Sequence, residues 1–132
     1  MRKQQDVTKI LLVEDNNDVQ AALKLLLELD GFNVISAKDG AEGYRSYLDN
    51  QPNLVITDLN MPAMDGLELI NLIRTDRFRP KTPIIVISAY EDKGERAKAA
   101  GADHYLHKPY DYDELKDLIE YIMPEAPDGI AA

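Results

Sequence analysis

The chain has 132 residues, with 15 Lys+Arg against 24 Asp+Glu, a net charge of −9 and no cysteine. That length suits one domain with a self-sufficient core, and the missing cysteine excludes disulfide frameworks, thiolate metal sites and cysteine nucleophiles. The acidic balance argues against a nucleic-acid partner, which needs a basic footprint; no apolar run approaches the roughly 18 residues of a membrane span; and residues 1–8, MRKQQDVT, lack the hydrophobic stretch of a secretory signal, leaving the cytoplasm as the expected location.

Two patterns alternate along the chain. Short β-branched or apolar runs at Lys9–Val13, Asn33–Ala37, Leu54–Thr57, Ile84–Ser88 and His104–Leu106 read as strands buried on both faces. After each comes a longer amphipathic stretch. The first places Val19, Leu23, Leu26 and Leu27 at helical spacing and stops at Gly31. The second opens at Asp39, a good N-cap, and runs to about Asp49 before Gln51 and Pro52. The third covers Leu67 to Arg74, with Leu69, Ile70 and Ile73 on one face. The fourth, Asp92 to Ala100, is short and Ala-rich and ends at Gly101. The fifth, Asp111 to Met123, puts Leu115, Leu118, Ile119 and Ile122 at i, i+3, i+4 and i+7, and Pro124 ends it. Five β-then-α units predict an α/β fold: a doubly wound, five-stranded parallel sheet of order 2-1-3-4-5 with five helices. The domain is expected over 1–123, with 124–132 as a loose tail that opens either onto nothing or onto a longer chain.

This fold class places its site beyond the carboxyl ends of the strands. Strand one ends in Glu14-Asp15, strand three in Asp58-Leu59-Asn60, strand four in Ser88-Ala89 and strand five in His107-Lys108-Pro109. Three carboxylates, a hydroxyl and an ammonium then face one pocket. Carboxylates so crowded either take up protons or bind a cation. An oxygen-only donor set suits Mg²⁺ or Mn²⁺. A lysine and a hydroxyl aimed at the same place hold the remaining oxygens of a phosphoryl group. A carboxylate at the end of the central strand is placed to attack phosphorus and form an acyl phosphate.

The segments KILLVEDN at 9–16, LVITDLNMPAMDG at 54–66, IIVISAY at 84–90 and GADHYLHKPY at 101–110, in this order and each at a strand end, resemble the receiver domain of two-component response regulators over about residues 8–123. The resemblance implies a flavodoxin-like sheet and a stand-alone chemotaxis-receiver-like protein. It implies that Asp58 is the phosphoacceptor, that Asp15 holds Mg²⁺ directly and Glu14 through water, and that Asn60 gives the ion a backbone carbonyl. Ser88 is then the switch hydroxyl, Tyr105 the switch aromatic and Lys108 the phosphoryl-binding lysine, with a cis Lys108–Pro109 bond. Pro62 and Gly66 match the loop after the acceptor strand. The implied partners are a sensor histidine kinase or histidine phosphotransfer protein and a downstream protein target, with no nucleic acid and no membrane. The chain is expected to be no enzyme beyond receiving and slowly losing its own phosphoryl group.

The pattern departs from the family in two places. The stretch from Ser88 to Lys108 is about two residues short, around helix four, where receivers commonly meet their partners. Tyr90 is bulky and is expected to shield the phosphoryl group from water. His104 and His107, three apart on a strand, face opposite sides and receive no role. Tyr110, Tyr112 and Tyr121 read as packing or interface residues. Two alternative functions stay open. One is a receiver-like binding module that is never phosphorylated. The other is a Mg²⁺-dependent phosphohydrolase, which needs an acid/base Asp where this chain has Asn60.

Overall fold

The computed structural model of the protein describes residues 8–59, 64–76, 81–89 and 93–124. The expectations for Asn60, Pro62, Tyr90 and the tail beyond residue 124 lie outside them. Strands and helices alternate: β1 (Lys9–Val13), α1 (Asn17–Leu29), β2 (Asn33–Ala37), α2 (Gly40–Asn50), β3 (Leu54–Asp58), α3 (Gly66–Arg74), β4 (Ile84–Ser88), α4 (Lys93–Ala100), β5 (His104–His107) and α5 (Tyr112–Ile122). All pairings are parallel, in the order β2-β1-β3-β4-β5. Strand order, fold class and element sequence match the sequence-based expectation; β3 and β5 are each one residue longer, the ends of α2, α3 and α5 differ by one residue, and the expected start of helix four at Asp92 lies outside the described residues. No helix among the described residues is long and apolar enough to cross a membrane.

Side-chain alternation along the strands sorts the core into two layers. Leu11, Val13, Val55, Ile84 and Val86 pack with Tyr47 of α2, Leu69, Ile70 and Ile73 of α3 and Ala97 of α4. Ile10, Leu12, Leu54, Ile56, Ile85 and Ile87 pack with Leu23 and Leu27 of α1 and Leu115 and Ile119 of α5. Strands covered on both faces explain the unbroken apolar runs of β3 and β4. One detail of the sequence reading is corrected: α1 buries only Leu23 and Leu27, whereas Val19 and Leu26 are exposed, along with Leu25 and Leu29. Val19 and Leu26 flank the narrow strip that a helix lays on a sheet, whereas Leu25 and Leu29 project from its outer side.

Local chemistry fixes the helix ends. Asn16, Asp39 and Asp65 accept from the backbone amides of Val19, Glu42 and Glu68, and Asp111 with Glu114 forms a capping box at α5. Gly31 and Gly101, at φ 98° and 119°, end α1 and α4 in left-handed turns closed by Phe32 N–H to Leu27 O and Ala102 N–H to Ala97 O. Around the end of β3 the packing is close. The Gly40 amide donates to Met64 O at 3.2 Å, and a Cβ on Gly66 would stand 2.4 Å from Asp58 O and 2.9 Å from Leu59 Cα. Those neighbours are backbone and have no rotamer to yield. Gly66→Ala is therefore expected to cost about 1–3 kcal/mol of stability, as overpacking typically does; urea denaturation of the two proteins checks it.

Candidate functional site

Strand register brings the predicted residues together. Val13 pairs with Thr57 and Asp58 with Ile87, so Glu14, one residue past Val13, stands level with Asp58. Asp15 follows Glu14. Ser88 pairs with His107, and the Lys108 amide donates to Ser88 O at 2.9 Å, carrying the ladder one step further. One carboxylate oxygen from each of Glu14, Asp15 and Asp58 lies within 4.8 Å of the others. Lys108 Nζ is 2.7 Å from Asp58 Oδ2 and 3.9 Å from Glu14 Oε1. The Lys108–Pro109 bond is cis. Glu14 and Asp58 are buried, whereas Asp15 is exposed.

The electrostatics follow from this crowding. Burial pushes the Glu14 carboxyl above the ordinary glutamate value, and the charge of Asp58 adds to the rise; the Asn16 amide, which donates to Oε2 at 3.0 Å, and the Lys108 charge oppose it without cancelling it. For Lys108, burial disfavours the ammonium. The hydrogen bond to Asp58 and the charges of Asp58 and Glu14 outweigh that, and its pKa ends above the ordinary lysine value. Burial also raises the Tyr110 hydroxyl beside them. Three hard oxygen donors crowded within 4.8 Å make a donor set that fits a divalent cation such as Mg²⁺.

Ser88 is buried at the end of β4, and its carbonyl accepts from the Lys108 amide and, at 3.3 Å, from the Tyr105 hydroxyl. Tyr105 is half-buried against the α2–α4 side of the core. His104 meets Tyr121 edge-on at 5.8 Å, and His107 lies 6.4 Å from Tyr105. Tyr110 and Tyr112 pack against the opposite core layer, and the Tyr112 hydroxyl donates to Asp30 at 2.7 Å. Gln20 was not singled out from the sequence. Its side-chain amide donates to Glu14 O at 3.0 Å and Ala37 O at 2.9 Å. The available signal was faint: a polar residue in the second turn of α1, six positions after Glu14.

The chain belongs to the response regulator receiver domain family, whose model matches residues 10–120. It is 39% identical over 117 residues to the transcriptional regulatory protein PrrA of Mycobacterium tuberculosis, covering 87% of this chain and 49% of PrrA. It is 31% identical over 126 residues to protein PilG of Pseudomonas aeruginosa, covering 94% of this chain and 93% of PilG. The chain thus spans about half the length of PrrA and nearly all of PilG. Among solved structures, the response regulator TrrA of Thermotoga maritima, in complex with Mg(2+)-BeF, superposes with a TM-score of 0.81 at 30% identity, over 89% of this chain and all of that one. Receiver domains of this family are signalling modules of two-component systems.

The raised pKa of Glu14 has a definite sign. A carboxyl whose folded pKa exceeds its unfolded value of 4.5 favours folding most in acid, and that contribution is lost as pH rises through the folded value. Without divalent cations, Glu14→Gln is expected to raise the neutral-pH Tm by a few degrees, the gain fading toward pH 4.5. Thermal melts in chelator at the two pH values check it.

Proposed function

We propose that the protein receives a phosphoryl group on Asp58 from a phosphohistidine of a sensor kinase or phosphotransfer protein, and passes the signal on by a change of shape read by a protein partner. The observation that carries this reading is the gathering of Glu14, Asp15, Asp58 and Lys108 at adjoining strand ends, with Lys108 Nζ 2.7 Å from Asp58 Oδ2. An Asp58 oxygen attacks phosphorus, the P–N bond to the donor imidazole, protonated on its other ring nitrogen, breaks, and neutral imidazole leaves, giving an acyl phosphate. Lys108 holds the Asp58 carboxylate before transfer and a phosphoryl oxygen after it. Glu14, Asp15, Asp58 and the Asn60 carbonyl are the groups assigned to Mg²⁺. The bound ion would supply charge neutralisation for the carboxylates and the phosphoryl oxygens.

Ser88 is assigned the hydroxyl that turns toward the phosphoryl group and Tyr105 the aromatic that follows it. The hydrogen bond from the Tyr105 hydroxyl to the Ser88 carbonyl supports that pairing by joining the two residues in one unit. For the donor, the exposed apolar face of α1 offers a docking surface. It runs from Val19, one turn beyond the acidic pair, through Leu25 and Leu26 to Leu29.

Treatment with a small phosphodonor and Mg²⁺ is expected to add the mass of one phosphoryl group to the wild-type chain and nothing to Asp58→Asn, read by intact-mass spectrometry. Chelation is expected to slow labelling at least about a hundredfold, since a metal ion typically supplies several kcal/mol of charge stabilisation. A chain that gains no mass would be a receiver-like binding module. The double variant Leu25→Asp/Leu29→Asp is expected to slow transfer from a phosphotransfer protein by about tenfold or more, the size of a lost interface anchor. Labelling by the small donor should be unchanged in that variant.

A further inference from the structure

We infer that Gln20 is a positioning residue for the acidic site, acting through the backbone of Glu14. The inference rests on the reading above that the pocket takes a divalent cation. Gln20 lies in α1, outside the group of residues that face the pocket, and is half-buried. Its Nε2 donates to Glu14 O at 3.0 Å and to Ala37 O at 2.9 Å. Both acceptors are carbonyls, so only the amide NH₂, with its two hydrogens, satisfies the pair.

The two carbonyls belong to the ends of neighbouring strands. Val13 and Ala37 are the last paired residues of β1 and β2, and the Glu14 amide donates to Ala37 O at 3.0 Å. Ala37 O therefore accepts twice, from Glu14 and from Gln20. The result is a closed triangle of three hydrogen bonds at the mouth of the pocket. Through it α1 holds both strand ends, and the peptide group that follows Glu14 is fixed in orientation. The Glu14 side chain is pinned separately, by the Asn16 amide on Oε2 at 3.0 Å.

This fixation has a task. Glu14 is buried within reach of two other carboxylates, and mutual repulsion drives it toward water. Freed of Gln20, the Glu14 peptide has one restraint fewer against a turn that would carry the carboxylate out of the group. Pre-organisation of the donors would be lost while the donors themselves remain, which is the behaviour of outer-shell partners of metal ligands.

The test uses the full chain and Mg²⁺ alone. Gln20→Leu removes the donors at similar size, and Gln20→Met, unbranched and a good helix former, serves if the leucine variant does not fold. Calorimetric titration should show Mg²⁺ bound about tenfold more weakly, the lower end of what such outer partners contribute. Hydrogen exchange should show lost protection at the Glu14 amide. Gln20→Arg, which restores a side chain with several donors, should recover most of the affinity. Tyr112→Phe, which removes the hydrogen bond to Asp30, supplies a destabilised control that should bind Mg²⁺ like the wild type. Wild-type affinity in Gln20→Leu, or an equal loss in Tyr112→Phe, would overturn the positioning role. A wild-type chain that binds no Mg²⁺ would overturn the cation reading beneath it, and the first titration reveals that before any variant is compared.

Discussion

Three carboxylates within 4.8 Å of one another repel, and the way the fold holds them there organises much of what surrounds the site. The hydrophobic effect does the holding. Two apolar layers, one on each face of the sheet, fix the register in which Glu14 and Asp58 fall side by side. Lys108 then offsets part of the repulsion. It follows β5, 50 residues beyond Asp58, so the compensating charge comes from the edge strand of the sheet. The site depends on the core, since nothing at the strand ends would gather these groups unaided.

The opposite end of the sheet has a different character. There Arg74 gives its Nε hydrogen to Gly101 O at 2.8 Å, one Nη to Thr82 O at 2.6 Å and the other to Asp103 at 2.8 Å. Asp103 in turn accepts from the Ile84 amide. There the opposite charges of Arg74 and Asp103 meet, and the shared carbonyls and amide extend the pair into a network. The carboxyl ends gather like charge; at the amino ends of β4 and β5 Arg74 and Asp103 bring opposite charges together. One end is built for events, the other for holding the sheet together.

Much of this was legible in the sequence. Strands buried on both faces leave unbroken apolar runs, and five of them separated by helical periods leave few topologies. Position at a strand end then selected Glu14, Asp15, Asp58 and Lys108 from 24 acidic and 15 basic residues. What escaped has a common cause. Gln20 acts through hydrogen bonds to two carbonyls, and a backbone acceptor has no letter in a sequence. The leucines of α1 outnumber the places available on its contact strip, and periodicity alone does not say which of them are left over. The extension of β3 to Asp58 depends on a neighbouring strand, β4, to pair with.

The amide of Gly40 rests on the carbonyl of Met64, and a Cβ there would come within 2.4 Å of that oxygen. The start of α2 is thus a floor under the far end of the connection that leaves Asp58. Met64 has no space to sink into, because the helix beneath it is already at contact. Any displacement of Met64 therefore has an asymmetric set of directions open to it: away from the helix, or together with the beginning of α2.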